Sequence, residues 1–192
     1  RAVLASHQPF RDLELQRERP DGSMHWISVS GVPVFDAGGA LRGYRGVGRD
    51  ITERKQVELQ IERLAFYDAL TGLPNRRQLS EHVAKASQRS RRDGSCFALL
   101  MVDLDRFRQI NDSLGHEIGD RVLIDVAQRI RACMRADDLL ARTGGDQFAL
   151  LVDGADHTAA ERGARRVLDA VAAPYNLDGA QFTLTCSIGG AL

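Results

Sequence analysis

Residues 97–105 read Phe-Ala-Leu-Leu-Met-Val-Asp-Leu-Asp, an apolar run that ends in two carboxylates. Such a run predicts a strand from Cys96 to Asp103 that is buried on both faces of a sheet. A carboxylate at a buried strand end is costly to desolvate unless it is paired or binds a metal, so Asp103 and Asp105 are candidate site residues. Their spacing places both on one face. We expect one to point into a site and the other to cap the helix that starts near Arg106; capping by both is the alternative.

A second candidate site lies at a glycine pair. The apolar runs 139–143 and 148–152 flank Gly144-Gly-Asp-Gln147 and predict a β-hairpin, because glycine supplies the positive φ that a tight loop requires. If this hairpin lies beside the strand that ends at Asp103, Asp146 and Asp103 converge as hard oxygen ligands for Mg²⁺. Taken alone, the glycine pair is equally consistent with an ordinary turn.

The segments around these motifs alternate between helix and strand patterns. Asn75 is positioned to cap a helix over residues 76–92, and apolar residues at helical spacing predict helices over 122–134 and 160–171. Residues 182–188 read as one further strand. The pattern predicts a layered α/β (α+β) domain with a mixed sheet flanked by helices.

The first fifty residues have a different pattern. Residues 11–50 read as three strands separated by turns at Pro20-Asp-Gly22 and Asp36-Ala-Gly-Gly39. They predict a three-stranded antiparallel sheet, which needs a partner layer to be stable. We therefore expect this segment to be half of a domain.

A helix is predicted to follow, over residues 53–66, because Asp50 can cap its N-terminus. Its narrow apolar stripe of Val57, Ile61 and Leu64 is typical of a short coiled-coil connector. A surface helix that packs on its own domain explains the stripe equally well.

The composition limits the classes of partner. With 26 basic and 26 acidic residues the formal net charge is zero, which argues against a nucleic-acid or anionic-membrane binder. The three cysteines are widely spaced and lie in apolar surroundings, which favours free thiols in a reducing compartment, and no apolar run is long enough to cross a bilayer. We expect a cytoplasmic portion of a longer polypeptide.

Four motifs resemble those of a GGDEF domain, the domain of diguanylate cyclases, in order and spacing. They are Asp68-Ala-Leu-Thr-Gly-Leu-Pro-Asn-Arg76, Asp103-Leu-Asp-Arg-Phe-Arg-Gln-Ile-Asn-Asp112, Gly115-His-Glu-Ile-Gly-Asp120 and Gly144-Gly-Asp-Gln-Phe148. The resemblance covers residues 67–192 and implies a palm-like fold similar to that of nucleotidyl cyclases and polymerases. It also implies that two GTP molecules are condensed into cyclic di-GMP and pyrophosphate by a homodimer.

The resemblance implies roles for individual residues. A Mg²⁺ (or Mn²⁺) ion would be held by Asp103, the carbonyl of Leu104, and Asp146. Guanine would be recognised by Asn111 and Asp120, for which helix capping is the alternative role. The further substrate-binding residues would be Arg108, at a position where the family often has lysine, with Gly144 and Gly145.

Two departures from the family pattern bear on activity. Gln147 stands where the consensus has Glu, which removes one negative charge from the catalytic residues Asp103, Asp146 and Gln147. The chain also ends before the C-terminal part from which family members supply basic residues to the triphosphate, so we expect a GGDEF domain without its C-terminal end.

Arg135-Ala-Asp-Asp138 stands at the spacing of the family's inhibitory site, where cyclic di-GMP binds. The resemblance therefore assigns Arg135 and Asp138 to allosteric product binding. A bare Arg-x-x-Asp pattern is otherwise more typical of a surface salt bridge.

Residues 1–52 resemble the C-terminal part of a PAS sensor domain, through Arg19-Pro-Asp-Gly22, Trp26, Gly43-Tyr44 and Asp50-Ile-Thr-Glu-Arg-Lys55. No PAS ligand can be named. The predicted protein is a PAS-regulated diguanylate cyclase. The alternative is a non-catalytic module that binds GTP or cyclic di-GMP and regulates a neighbouring EAL-type phosphodiesterase domain.

Overall fold

The structure, a computed structural model of the chain, describes residues 6–177 and 179–192. The chain divides after Glu62 into two compact units. Residues 1–5 of the predicted PAS segment lie outside the described residues.

The first unit contains the predicted three-stranded sheet. Strands β1 (Phe10–Glu18), β2 (Met24–Phe35) and β3 (Leu41–Asp50) pair antiparallel in chain order. The second turn forms because the carboxylate of Asp36 accepts hydrogen bonds from the backbone N–H groups of Gly38 and Ala40, both at 2.9 Å. The sequence prediction for this sheet is confirmed.

Helix α1 (Thr52–Phe66) follows the sheet, and the carboxylate of Asp50 accepts a hydrogen bond from the Thr52 N–H at 2.9 Å, as the capping prediction requires. Its apolar stripe consists of Val57, Ile61 and Leu64, whose side chains are 50–62% exposed, and no residue of the helix is buried. The stripe is therefore available to a partner.

The second unit is built on a four-stranded sheet. The elements are α2 (Arg76–Asp93), β4 (Phe97–Leu104), α3 (Phe107–Leu114), α4 (His116–Cys133), β5 (Leu139–Gly144), β6 (Gln147–Asp153), α5 (His157–Ala172), β7 (Tyr175–Leu177), β8 (Ala180–Phe182) and β9 (Cys186–Ala191). The four strands of the sheet are ordered β5-β6-β4-β9. All three pairings are antiparallel, so the expected mixture of strand directions is not found among the described strands. As predicted, Asn75 caps α2: its side chain accepts hydrogen bonds from two backbone N–H groups of the helix.

The two faces of this sheet are covered unequally. Helices α4 and α5 pack on one face around the main core, which includes Leu100, Val102, Phe148 and Leu150. Helix α2 packs on the other face against residues of β5 and β6. Met101 on that second face is 40% exposed, so the expectation that β4 is buried on both faces is wrong.

The strand predicted over residues 182–188 is interrupted. Phe182 ends β8, which pairs with β7 in a separate two-stranded sheet, and β9 begins only at Cys186. The stacked rings of Tyr175 and Phe182, with centroids 5.4 Å apart, hold β8 against β7. Residues 183–185, between β8 and β9, belong to neither strand.

Candidate active site

The end of β4 lies against the tip of the β5–β6 hairpin. Asp103 is paired with Gln147 in the antiparallel register of β4 and β6. One residue further, the N–H of Leu104 donates to the backbone carbonyl of Asp146 at 3.3 Å. The structure therefore brings together the backbone of the two predicted carboxylate ligands, which are 43 positions apart in the sequence.

Gln147 contacts the predicted metal ligand directly. Its Nε2 atom donates a hydrogen bond to Oδ2 of Asp103 at 2.8 Å. A glutamate at this position would instead present a second carboxylate to Asp103, and two like charges at this distance repel each other unless a cation lies between them. The amide therefore satisfies one oxygen of Asp103 without a metal.

The hairpin tip requires both glycines, since Gly144 has φ 136° and Gly145 has φ 54°. Arg142 holds this tip: its Nε and Nη2 atoms donate to the carbonyl oxygen of Gly145, at 3.0 and 2.7 Å. The same guanidinium donates through Nη1 to both carboxylate oxygens of Asp68, at 3.0 and 3.2 Å. Sequence reasoning did not single out Arg142, whose only signal was its position two residues before the glycine pair.

Asp68 is the anchor of this arrangement. Its Oδ1 also accepts hydrogen bonds from the backbone N–H and the hydroxyl of Thr71, at 2.8 and 2.6 Å. Partial burial acts to raise the pKa of Asp68, but the hydrogen bonds from Thr71 and Arg142 outweigh it and hold the pKa below its ordinary value. Asp68 is therefore ionised at neutral pH.

Asp105 lies on the same face as Asp103 but has different partners. Its carboxylate accepts hydrogen bonds from the hydroxyls of Thr185 and Ser187, which hold its pKa below the ordinary value. The N-terminus of α3 has no side-chain cap. The expectation that Asp103 or Asp105 caps this helix is therefore wrong, because the neighbouring strand offers Asp105 two hydroxyl donors.

The two predicted guanine-binding residues lie on neighbouring helices. Asn111 is on α3 and Asp120 is on α4, and an added Cβ at Gly119 would lie 1.8 Å from Oδ1 of Asn111. The Asn111 carboxamide therefore packs against the backbone next to Asp120. Arg108, predicted to bind phosphate, has a side chain that is 92% exposed, and its Nε lies 3.9 Å from Oδ2 of Asp112.

The predicted product-binding pair is formed locally. Asp138 accepts a hydrogen bond from the backbone N–H of Arg135 at 2.9 Å, which leaves the Arg135 side chain exposed. Arg162 and Arg166 of α5 line the same cavity as this pair. Sequence reasoning missed these two arginines, although their spacing of four residues places them on one helix face.

The donors available to a metal are few and open to solvent. Within residues 6–177 and 179–192, no group of three His, Cys, Asp or Glu side chains is arranged around one point. Mg²⁺ commonly uses one or two carboxylates and keeps water or substrate phosphate as its other ligands. The exposed Asp103 and the half-buried Asp146, with the Leu104 carbonyl, are oxygen donors of the kind that such an ion takes.

Comparison with known proteins identifies the families of the two parts of the chain. Residues 65–192 match the model of the diguanylate cyclase GGDEF domain, and residues 1–53 match a PAS domain. The chain belongs to the GGDEF family. The resemblance inferred from the four motifs and from the N-terminal segment is thus confirmed.

Named relatives of the GGDEF chain act in cyclic di-GMP metabolism. The bifunctional diguanylate cyclase/cyclic di-GMP phosphodiesterase MucR of Pseudomonas aeruginosa is 40% identical over 141 residues, which are 73% of this chain and 21% of MucR. The chain therefore spans about a fifth of the length of that curated relative. Diguanylate cyclases of this family use divalent metal ions.

Two solved structures resemble the GGDEF chain. Diguanylate cyclase SiaD of P. aeruginosa, solved with its activator SiaC, is 35% identical with a TM-score of 0.64, over 72% of this chain and 54% of that chain. The coiled coil and GGDEF domain of DgcB from Caulobacter crescentus, solved with c-di-GMP, is 26% identical with a TM-score of 0.65, over 72% and 75%. In the part of this chain that the structure describes, no helix is both long and apolar enough to cross a membrane.

Proposed function

We propose that this chain is the catalytic and sensory portion of a diguanylate cyclase that condenses two GTP molecules into cyclic di-GMP and pyrophosphate. The observation that carries the proposal is the β4–β6 register, which pairs Asp103 with Gln147 and joins the Leu104 N–H to the Asp146 carbonyl. This register brings the predicted metal-binding groups together at one end of the two central strands. GTP as a substrate implies a cytoplasmic location.

The proposed metal ligands are Asp103, the Leu104 carbonyl and Asp146, and the proposed ion is Mg²⁺, with Mn²⁺ as a substitute. When bound, a divalent ion stabilises negative charge on the phosphates and favours ionisation of the attacking 3′-hydroxyl. The hairpin glycines Gly144 and Gly145 leave the backbone free of side chains beside the substrate.

The proposed guanine site lies between α3 and α4. The Asp120 carboxylate can accept both the N1–H and the exocyclic amino group of guanine, a pair of donors that adenine does not present. The Asn111 carboxamide, held against Gly119, supplies a further polar contact. The exposed Arg108 is free to rotate toward the triphosphate, where its guanidinium would replace the lysine that is common in the family.

Each protomer holds one GTP in this proposal, so a homodimer brings two nucleotides together. Residues 1–52 are the C-terminal part of the sensor, 53–66 are the connector and 67–192 are the cyclase domain. The exposed apolar stripe of the connector supports pairing with a second copy. Sensory control would then act on the orientation of two protomers.

A second function is favoured by one observation. The hydrogen bond from Gln147 to Asp103 satisfies a carboxylate oxygen that a metal would otherwise need. A site stabilised in this way suits a non-catalytic module that binds GTP or cyclic di-GMP and regulates a neighbouring phosphodiesterase domain of the EAL type. MucR, a bifunctional diguanylate cyclase/cyclic di-GMP phosphodiesterase, supports such a neighbour.

Incubation of the protein with GTP and Mg²⁺ tests the two functions. A cyclase forms cyclic di-GMP from GTP, and the Asp146→Asn variant should lose this product while retaining the fold. If the wild-type protein forms no product and Gln147→Glu does, the chain is the binding module. Nucleotide binding without turnover in both proteins would also contradict the cyclase.

A further inference from the structure

Asp105 fastens the end of β4 to β9 beyond the last pair of the strand ladder, Leu104 with Cys186. Its carboxylate accepts hydrogen bonds from the hydroxyl of Thr185 at 2.7 Å and the hydroxyl of Ser187 at 2.8 Å. Its backbone N–H donates to the Thr185 carbonyl at 2.9 Å. Three hydrogen bonds therefore fix one residue to the neighbouring strand.

The chain bends sharply immediately after this anchor. Arg106 has φ 57° and ψ 23°, a left-handed conformation that is unfavourable for a residue with a Cβ. Among the described residues of the second unit, it is the one non-glycine residue with positive φ. A conformation of this kind persists where surrounding contacts hold it, and the contacts of Asp105 are adjacent to it in the chain.

The anchored residue lies between the proposed metal ligands and the first turn of α3. Asp103 and Leu104 precede it, and Phe107 begins the helix two residues later. Asp103, Asp105 and Arg106 line one open cavity of about 1010 Å³. A change in the backbone at Asp105 would therefore reorient the adjacent Leu104 carbonyl.

We propose that Asp105, with Thr185 and Ser187, is a positioning residue for the metal–triphosphate site. It acts through the backbone, because both of its oxygens already accept hydroxyl hydrogen bonds. The inference rests on the proposed function and extends it: these two hydroxyls keep the Leu104 carbonyl and the Asp103 carboxylate directed to the same side.

The test removes the hydroxyl donors and leaves the carboxylate in place. Thr185→Val and Ser187→Ala are combined in one variant, and Asp105→Asn forms a second. Thr158→Val, at an exposed threonine of α5, is the control. Binding of Mn²⁺ with a non-hydrolysable GTP analogue is followed by the electron paramagnetic resonance of free Mn²⁺. Binding of GMP, which has no triphosphate, is followed by calorimetry.

The double variant should bind the Mn²⁺–analogue pair about 10-fold more weakly, as is usual when a group that orients a metal ligand is lost. It should bind GMP like the wild type, since the guanine site lies between α3 and α4. The control should match the wild type in both measurements.

Other outcomes overturn the inference. An equal loss of GMP and Mn²⁺–analogue binding in the double variant would mean a general loss of structure. A loss of Mn²⁺–analogue binding in Asp105→Asn but not in the double variant would indicate that Asp105 binds the metal directly. A wild-type chain that binds GMP but no Mn²⁺–analogue pair would reject the proposed function together with the inference, whereas normal binding by the double variant rejects only the inference.

Discussion

Arg142 and Asp68 form an ion pair that joins the loop before α2 to the tip of the β5–β6 hairpin. The guanidinium reaches both Asp68 oxygens and also donates to the Gly145 carbonyl, one residue before Asp146. The Arg142 side chain is 10% exposed and that of Asp68 is 21% exposed. The position of the hairpin tip therefore depends on a largely buried charge pair.

Replacing Arg142 with lysine should destabilise the second unit. An ammonium group cannot reproduce the planar set of donors that reaches Asp68 and Gly145 together, so Arg142→Lys should lower the free energy of unfolding by about 1–3 kcal/mol. Urea denaturation measures the change. Arg91→Lys, at an exposed position on α2, is the control and should change stability by less than about 0.5 kcal/mol. Equal stability of Arg142→Lys and wild type would contradict this assignment.

The ion pair of Arg142 and Asp68 should also make the stability of the second unit depend on pH. The folded-state pKa of Asp68 is lower than its ordinary pKa of 3.8. The contribution of Asp68 to the free energy of unfolding is therefore complete above that ordinary pKa and is lost as the pH falls toward the folded-state pKa. The stability difference between wild type and Asp68→Asn should therefore be constant from pH 7 to 5 and should shrink below about pH 4. Urea denaturation at each pH tests this. A difference that grows on acidification would show that the assigned sign is wrong.

Gly119 should be required for guanine recognition because it makes room for Asn111. A methyl group at this position would overlap the Asn111 carboxamide, so Gly119→Ala should weaken GTP binding about 10-fold. In an Asn111→Ala background the same substitution should have no further effect. Isothermal titration calorimetry measures each affinity.

Gly163→Ala is the matched control for this experiment. It also lies in a helix, and its added Cβ would meet nothing within 4 Å, so GTP affinity should not change. Additive losses from Gly119→Ala and Asn111→Ala would contradict the proposed coupling.

Product binding should depend on α5 as well as on the Arg135 turn. Arg166→Ala and Arg135→Ala should each weaken cyclic di-GMP binding by about 10-fold or more, since each removes a charge-assisted phosphate contact. Arg165→Ala, exposed on the same helix, is the control. Titration with cyclic di-GMP distinguishes the three variants. Wild-type affinity in Arg166→Ala would exclude Arg166 from the site.

Local patterns in the sequence predicted the features whose causes lie within a few residues. Asn75 caps α2 through N–H groups two and three residues away, and Asp50 contacts Thr52 in the same way. The two glycines of the hairpin are required by the backbone angles of that hairpin itself. Such features follow from short-range sterics and hydrogen bonding, so they can be read without knowledge of the fold.

The limits of sequence reasoning appear at Asp105. Its spacing from Asp103 correctly placed both carboxylates on one face, but helix capping was wrong because the competing donors, Thr185 and Ser187, are 80 and 82 positions away. No local pattern encodes a partner at that separation. The same reason explains why Met101 is exposed: the coverage of a sheet face depends on which helix packs there.

By itself, the sequence determined the family, the alternation of helices and strands, and the identity of the chemical groups, because motif order and local periodicity are properties of the chain. Only the tertiary structure decided which groups meet. It paired Gln147 with Asp103 across 44 positions and Arg142 with Asp68 across 74. Strand register and helix packing create these contacts, and both result from burying the whole core rather than from any single segment.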